Sequence, residues 1–251
     1  MNSKNSSIST PAFILAPNGG EKLKVLVVGI GGTGSLLIQL LARMDMAIQS
    51  FGHPGFSIVA TDPDIVSEAN IGRQLFPSSD LGMSKAESLR SRVNAFYGTN
   101  YIGVTGKHDD IRISSMNYPM VIFSCIDNIS GRRELNQKYC KGNGHKPSMM
   151  MIDCGNSHDF GQVFIYVRKR DDDIHHYGTI FSKKFKGMRD KKHEPSCSLA
   201  MALGRQDLHI NSFIANLASD VLWKALRTGY VRHSEIYLNL TTLEITKKCM
   251  N

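Results

Sequence analysis

At 251 residues, 41% hydrophobic and 21% charged, the chain is long enough to bury a sizeable core and too apolar to be a disordered segment. Its formal charge of +8 tolerates anionic partners. However, five of those charges arise between Arg168 and His193, where nine Lys or Arg meet four Asp, and such a local excess bears on solubility more than on function.

The five cysteines (Cys125, Cys140, Cys154, Cys197, Cys249) are widely spaced and form no C-x-x-C, which argues against a disulfide framework and a cysteine zinc site. No apolar run approaches the roughly 18 residues needed to cross a bilayer, and the N-terminus is Ser/Asn-rich rather than a basic-then-apolar leader. A cytoplasmic protein with reduced thiols and no membrane partner is expected.

In chain order, residues 1–20 are polar and punctuated by Pro11, Pro17 and paired glycines, which predicts a flexible arm. Residues 21–251 read as one domain. The apolar run Val25 to Val28 predicts a buried strand over 23–29, and Leu36, Leu37, Leu40 and Leu41 have the spacing of a helix over 33–49. A second strand is expected at 56–61, followed by a short helical stretch bearing Asn70 and Arg73 on one face. Ser78, Ser79 or Asp80 is the expected cap of a longer helix reaching about residue 97, with Lys85 in its first turns.

Further strands are expected at 101–105, 121–126, 149–154 and 162–167, with a helix at 130–141 stopped by Gly142 and Gly144. Residues 168–195 form a long, basic, irregular loop, and loops of that length inside a domain usually carry function. A helix at 208–227 stops at Gly229, and two strands follow around Thr241 and Thr242. Strands alternating with helices predict an α/β, Rossmann-like fold, a mainly parallel sheet with helices on both faces.

Gly29, Gly31 and Gly34 satisfy G-x-G-x-x-G, with Gly32 in the same turn. Such glycines let backbone amides reach a phosphate at a helix N-terminus. Asp62 closes the second strand as a ribose-binding acid does in dinucleotide enzymes, so the turn alone leaves an NAD-dependent oxidoreductase open. The polar set around it is Asp62, Asp64, Asn70, Arg73, Gln74, Lys85, Asp127 and Asn128. A carboxylate suits a ribose, Arg and Lys suit a triphosphate, and one acid with retained waters suits magnesium, so this set favours ATP over NAD.

The ordered motifs G-I-G-G-T-G-S, D-P-D-I-V-S-E-A-N-I-G-R-Q-L-F, G-M-S-K-A and C-I-D-N resemble those of the ThiF, MoeB and ubiquitin-activating enzyme superfamily over roughly residues 22–155. The resemblance implies a ThiF/MoeB-like adenylation fold in which the glycine loop holds ATP, Asp62 bonds the ribose with support from Asp64, Asn70, Arg73 and Lys85 engage the phosphates, and Asp127 helps place magnesium. It implies adenylation of the C-terminal glycine carboxylate of a ubiquitin-like or sulfur-carrier protein, and a homodimer. The motif Pro195-Ser196-Cys197-Ser198 is similar to the Pro-x-Cys-Thr of enzymes that load small modifiers, after a loop similar to their crossover loop. This makes Cys197 the candidate thioester acceptor, with a structural thiol as the alternative. In overall form the chain resembles the compact ThiF-like proteins of the bacterial PRTRC system, which accompany proteins resembling conjugating enzymes.

Three features depart from the family pattern: the two zinc-binding C-x-x-C pairs are missing, no arginine precedes Arg43, and the segment Met44 to Phe56 is long. A nucleotide-bound module that docks a partner without catalysis therefore stays open beside the enzyme. His175 and His176 read as part of a solvated charged loop, and the thin aromatic content of the basic loop argues against a nucleic-acid partner.

Overall fold

The protein, described by a computed structural model over residues 8–9, 20–107, 120–140, 149–168, 185–190 and 198–249, is built on an eight-stranded sheet. In chain order the elements are β1 (Ile8–Ser9), β2 (Leu23–Val28), α1 (Gly32–Gln49), β3 (Phe56–Asp62), α2 (Lys85–Tyr97), β4 (Ile102–Thr105), β5 (Met120–Ser124) and α3 (Ile129–Cys140). They continue with β6 (Met149–Asn156), β7 (Phe160–Arg168), α4 (Leu199–Leu203), α5 (Ile210–Thr228), β8 (Tyr230–Val231), β9 (His233–Asn239) and β10 (Glu244–Cys249).

The strand order is β10-β9-β7-β6-β5-β2-β3-β4. The pairings from β6 through β5, β2 and β3 to β4 are parallel, while β6 with β7, β7 with β9 and β9 with β10 are antiparallel. The sheet is therefore mixed and mostly parallel. Strand β2 is central and covered on both faces, which is why its sequence is a continuous apolar run rather than an alternating one. Leu23, Val25 and Val27 join a core shared with α1, α2 and α5, whereas Leu26 and Val28 join the opposite core with Leu135 and Tyr139 of α3 and with Phe185.

Helix α1 buries Leu37, Ile38, Leu41 and Ile48 at helical spacing, and α5 buries Ile210, Ile214, Leu222 and Ala225. Gly229 ends α5 in the left-handed conformation, as its position predicts. The cap of α2 is corrected: Ser84, not residues 78–80, accepts from the Glu87 amide. Ser78–Asp80 forms a separate 3-10 turn, cut off from α2 by Gly82 at φ 79°, and Asp80 instead takes bonds from Ser88 and Arg92. Strand β5 stops at Ser124, before Cys125 and Ile126, because the chain leaves the sheet there toward the site. Within the expected arm, Ile8–Ser9 pairs antiparallel with Tyr230–Val231. Most of the basic loop, the His175–His176 pair and Cys197 lie outside the described residues.

Candidate functional site

Parallel strands deliver their carboxyl ends to one edge of the sheet, and the chain leaves β2 toward β3 on one side and returns through β5 on the other. A crevice at this reversal is where such sheets bind ligands. The cavity there has a volume of about 440 Å³ and is lined from the ends of β2, β3 and β6, from the loops after β2, β3, β4 and β5, and from the first turns of the helices beside them.

The floor is the glycine turn. Gly29 has φ 90°, and a Cβ on it would sit 2.7 Å from the Cys125 carbonyl oxygen. Gly31 and Gly32 line the cavity. Gly34 does not: a Cβ there would lie 1.9 Å from the Gly29 carbonyl oxygen, so this glycine lets α1 press against the turn. The first turn of α1 carries no acid, which leaves the positive end of the helix dipole to face the cavity.

Asp62 ends β3 on the cavity wall. Its carboxylate accepts from the Ile30 amide at 2.5 Å and the Asp64 amide at 2.8 Å, tying the second strand to the glycine turn. Burial pushes its carboxyl above the usual range, opposed by the positive charge of Lys85 and by those two amides. Lys85, the first residue of α2, is buried yet reaches Asp64 at 2.9 Å, and Asp64 itself is largely exposed. A lysine at a helix N-terminus is unfavourable by itself, so the fold rather than helix propensity sets it there.

Arg73 donates to the Gln206 side-chain oxygen at 3.0 Å and to the Ala69 carbonyl at 3.4 Å. Burial lowers its pKa, and Asp127 across the cavity opposes that shift. Asp127 is exposed at the rim and accepts from the Asn128 amide group at 3.1 Å. Asn128 in turn caps α3 by accepting from the Gly131 amide at 2.7 Å.

Asp62, Asp64, Arg73, Gln74, Lys85, Asp127 and Asn128 thus share one cavity. Asn70 is not among its lining residues. It folds onto its own turn, where its side-chain oxygen accepts from the Ser67 amide at 2.9 Å. The Gln74 side-chain oxygen is buried and accepts no hydrogen bond, so a donor on a ligand would complete it.

Four lining residues carried no signal in the motifs. Arg132 donates to Asp153 at 2.7 Å, to the Cys154 carbonyl at 2.6 Å and to the Ile126 carbonyl at 2.8 Å. Asn156, Gln206 and Asn211 are joined to one another by side-chain hydrogen bonds. Single amides scattered over a sequence have no spacing to betray them.

Among the described residues no group of three His, Cys, Asp or Glu gathers to hold a metal. One rim carboxylate, Asp127, in the same cavity as Arg73 and Lys85 fits magnesium, which usually arrives on a nucleotide's phosphates and keeps much of its water. Ser198, one residue after Cys197, caps α4 by accepting from the Met201 amide at 3.3 Å. The side chain of Leu199 packs over Gly72, next to Arg73. Among the described residues no helix is long and apolar enough to cross a membrane.

A family model described as the ThiF family matches residues 19–250. The chain is 30% identical over 146 residues to the NEDD8-activating enzyme E1 catalytic subunit of Caenorhabditis elegans, an alignment covering 55% of this chain and 31% of that one. It is 32% identical over 125 residues to the molybdopterin-synthase adenylyltransferase of Salmonella typhimurium, covering 47% of this chain and 46% of that one. Its fold is similar to that of E. coli MccB solved with ATP, with a TM-score of 0.57 at 17% identity over 91% of this chain and 63% of that chain. The chain spans about a third to a half of the length of these two curated relatives.

Proposed function

This chain belongs to the ThiF family, and from that premise we propose that it uses ATP to adenylate the C-terminal carboxylate of a ubiquitin-like or sulfur-carrier protein. The observation that carries the reading is the convergence of Asp62, Arg73, Lys85 and Asp127, far apart in sequence, on one cavity above a glycine turn. In this reading Asp62 accepts from the ribose hydroxyls, the turn amides and Lys85 hold the phosphates, and Arg73 faces the β- and γ-phosphates. Asp127 would hold magnesium, which would supply charge neutralisation for the pyrophosphate group.

A carboxylate is already a nucleophile at neutral pH, so no general base is required. Its oxygen attacks the α-phosphorus, the bond to the β-phosphate oxygen breaks, and pyrophosphate leaves. What the protein must supply is alignment and charge neutralisation, and losing one preorganised donor of this kind typically costs about 3–4 kcal/mol of barrier.

A second step is part of the proposal. The Cys197 thiolate would attack the acyl-adenylate carbonyl, forming a thioester and releasing AMP. Its support is the P-S-C-S motif and the capped helix that begins at the next residues. The reading includes a cytoplasmic homodimer that passes the acyl group to a conjugating-enzyme-like protein.

The test is direct. Magnesium-ATP should raise the melting temperature of the purified chain and NAD should not; the reverse result would replace the reading with an oxidoreductase. With the cognate protein present, Arg73→Ala and Asp127→Ala should abolish ATP-pyrophosphate exchange, and unchanged exchange in both would remove the mechanism. ATP binding without exchange for any protein ending in glycine would favour the docking module. Cys197→Ala should spare exchange and lose the thiol-sensitive conjugate.

A further inference from the structure

Part of the cavity wall is left unexplained by the nucleotide reading. There, three side-chain amides form a ring in which each donates to the next. Asn156, at the end of β6, donates to Asn211 at 2.8 Å; Asn211, in the first turn of α5, donates to Gln206 at 3.0 Å; and Gln206 donates back to Asn156 at 2.8 Å. Two further groups enter the ring from the cavity's working parts. The Thr33 hydroxyl of the glycine turn donates to Asn211 at 3.1 Å, and the Arg73 guanidinium donates to Gln206 at 3.0 Å. Asn211 is 2% exposed, and a Cβ on Gly32 would fall 2.5 Å from its side chain, so the ring is seated directly against the turn.

The chemistry of that ring is specific. An arginine side chain has many rotamers and loses that freedom on being fixed. Most folds fix a buried arginine with a carboxylate, which also cancels its charge. Arg73 is bonded instead to two neutral oxygens, those of Gln206 and Ala69, and feels Asp127 only from across the cavity, so its position is set while its charge is not taken up by an ion pair. The amide that holds it is itself held, because Gln206 has its other end on Asn156 and its oxygen shared with Asn211. Hydrogen-bonded networks of this kind are rigid only when every member is satisfied.

We propose that the Asn156–Gln206–Asn211 ring is a positioning unit that locks Arg73, uncancelled, toward the polyphosphate end of the cavity, with Gln206 as the positioning residue. The proposal rests on the nucleotide reading given above. It extends that reading to lining residues to which the reading itself gives no role, and it makes the loop between α4 and α5 part of the ATP site.

The experiment measures the dissociation constants of magnesium-ATP and of AMP by calorimetry for the full-length chain and its variants, with melting temperatures alongside. Gln206→Ala should weaken ATP binding about tenfold and leave AMP binding within twofold. In an Arg73→Ala background the same change should add nothing. Gln206→Glu keeps the acceptor for Arg73 and nearly the same shape but cancels the charge and gives up the donation to Asn156, so it should also weaken ATP and spare AMP. Equal losses for ATP and AMP, or additive losses with Arg73→Ala, would reduce the ring to a structural role and overturn the proposal. A wild-type chain that binds neither nucleotide would overturn the nucleotide reading and the ring with it, whereas wild-type binding with no selective loss in either Gln206 variant would overturn the ring alone.

Discussion

The guanidinium of Arg132 and the carboxylate of Asp153 meet at 2.7 Å with the side chains 6% and 0% exposed. Arg132 also holds the carbonyls of Ile126 and Cys154, so one side chain pins the loop bearing Asp127 to the neighbouring strand β6. Burial pushes the Asp153 carboxyl up and Arg132 opposes it, which marks a pair whose members depend on each other. Asp153→Ala should therefore destabilise the protein by about 3–5 kcal/mol, the usual effect of orphaning a buried charge. The double variant Asp153→Ala, Arg132→Met should recover part of that loss. Urea unfolding of the two variants checks both statements.

The glycine turn separates folding from binding. Gly34→Ala places a methyl 1.9 Å from a backbone oxygen that has nowhere to go, and it should prevent a stable fold or cut the melting temperature sharply. Gly31→Ala meets nothing closer than the Gln74 side chain at 3.9 Å, so the fold should tolerate it. The added methyl faces the cavity, however, and should remove most of the stabilisation by magnesium-ATP. Thermal melts with and without nucleotide distinguish the two.

Residues 185–190 are fastened to α3, the helix after Asp127. The Asp190 carboxylate accepts from the Ile129 amide and, at 3.1 Å, from the Ser130 amide, and Arg133 donates to the Met188 carbonyl at 2.8 Å. Hydrogen bonds from Ser130 and Ile129 hold the Asp190 carboxyl below its ordinary value of 3.8. Because the folded value is depressed, this contact is fully present above pH 3.8 and is lost only as pH falls through the lower folded value. Hydrogen exchange, corrected for its intrinsic pH dependence, should show Ile129 and Ser130 protected down to that pH. Asp190→Asn should raise their exchange at neutral pH.

Cys125 and Cys154 follow the paired residues Ser124 and Asp153 on adjacent parallel strands, and both line the cavity. The Cys154 thiol is pushed well up by its hydrogen bond with Cys125 and by burial, so it should resist alkylation. Of these described thiols, Cys249 is exposed and should react before Cys125 and Cys154. Cys125 is half-buried, and its labelling should slow when magnesium-ATP fills the cavity. Peptide mapping after timed iodoacetamide treatment reads all three, and equal labelling of Cys125 with and without nucleotide would count against ATP occupying this cavity.

Local chemistry made much of the protein legible from its sequence. The run Val25 to Val28 had to be a strand buried on both faces, Gly29 and Gly34 had to bring a strand end and a helix start into contact, and Gly229 had to end α5. Asp62, Arg73, Lys85 and Asp127 stood out because each lies in a short ordered motif. Other features depend on distant partners. Ser84 displaced residues 78–80 as the cap because Asp80 was drawn off by Ser88 and Arg92. Asn70 turned onto Ser67 instead of the cavity. Arg132 found its acid 21 residues away, and the amides at 156, 206 and 211 met only when β6 and α5 closed on the glycine turn. Short-range sterics and periodicity are written residue by residue, whereas a hydrogen bond between side chains far apart in the chain exists only once packing has brought both ends to one place.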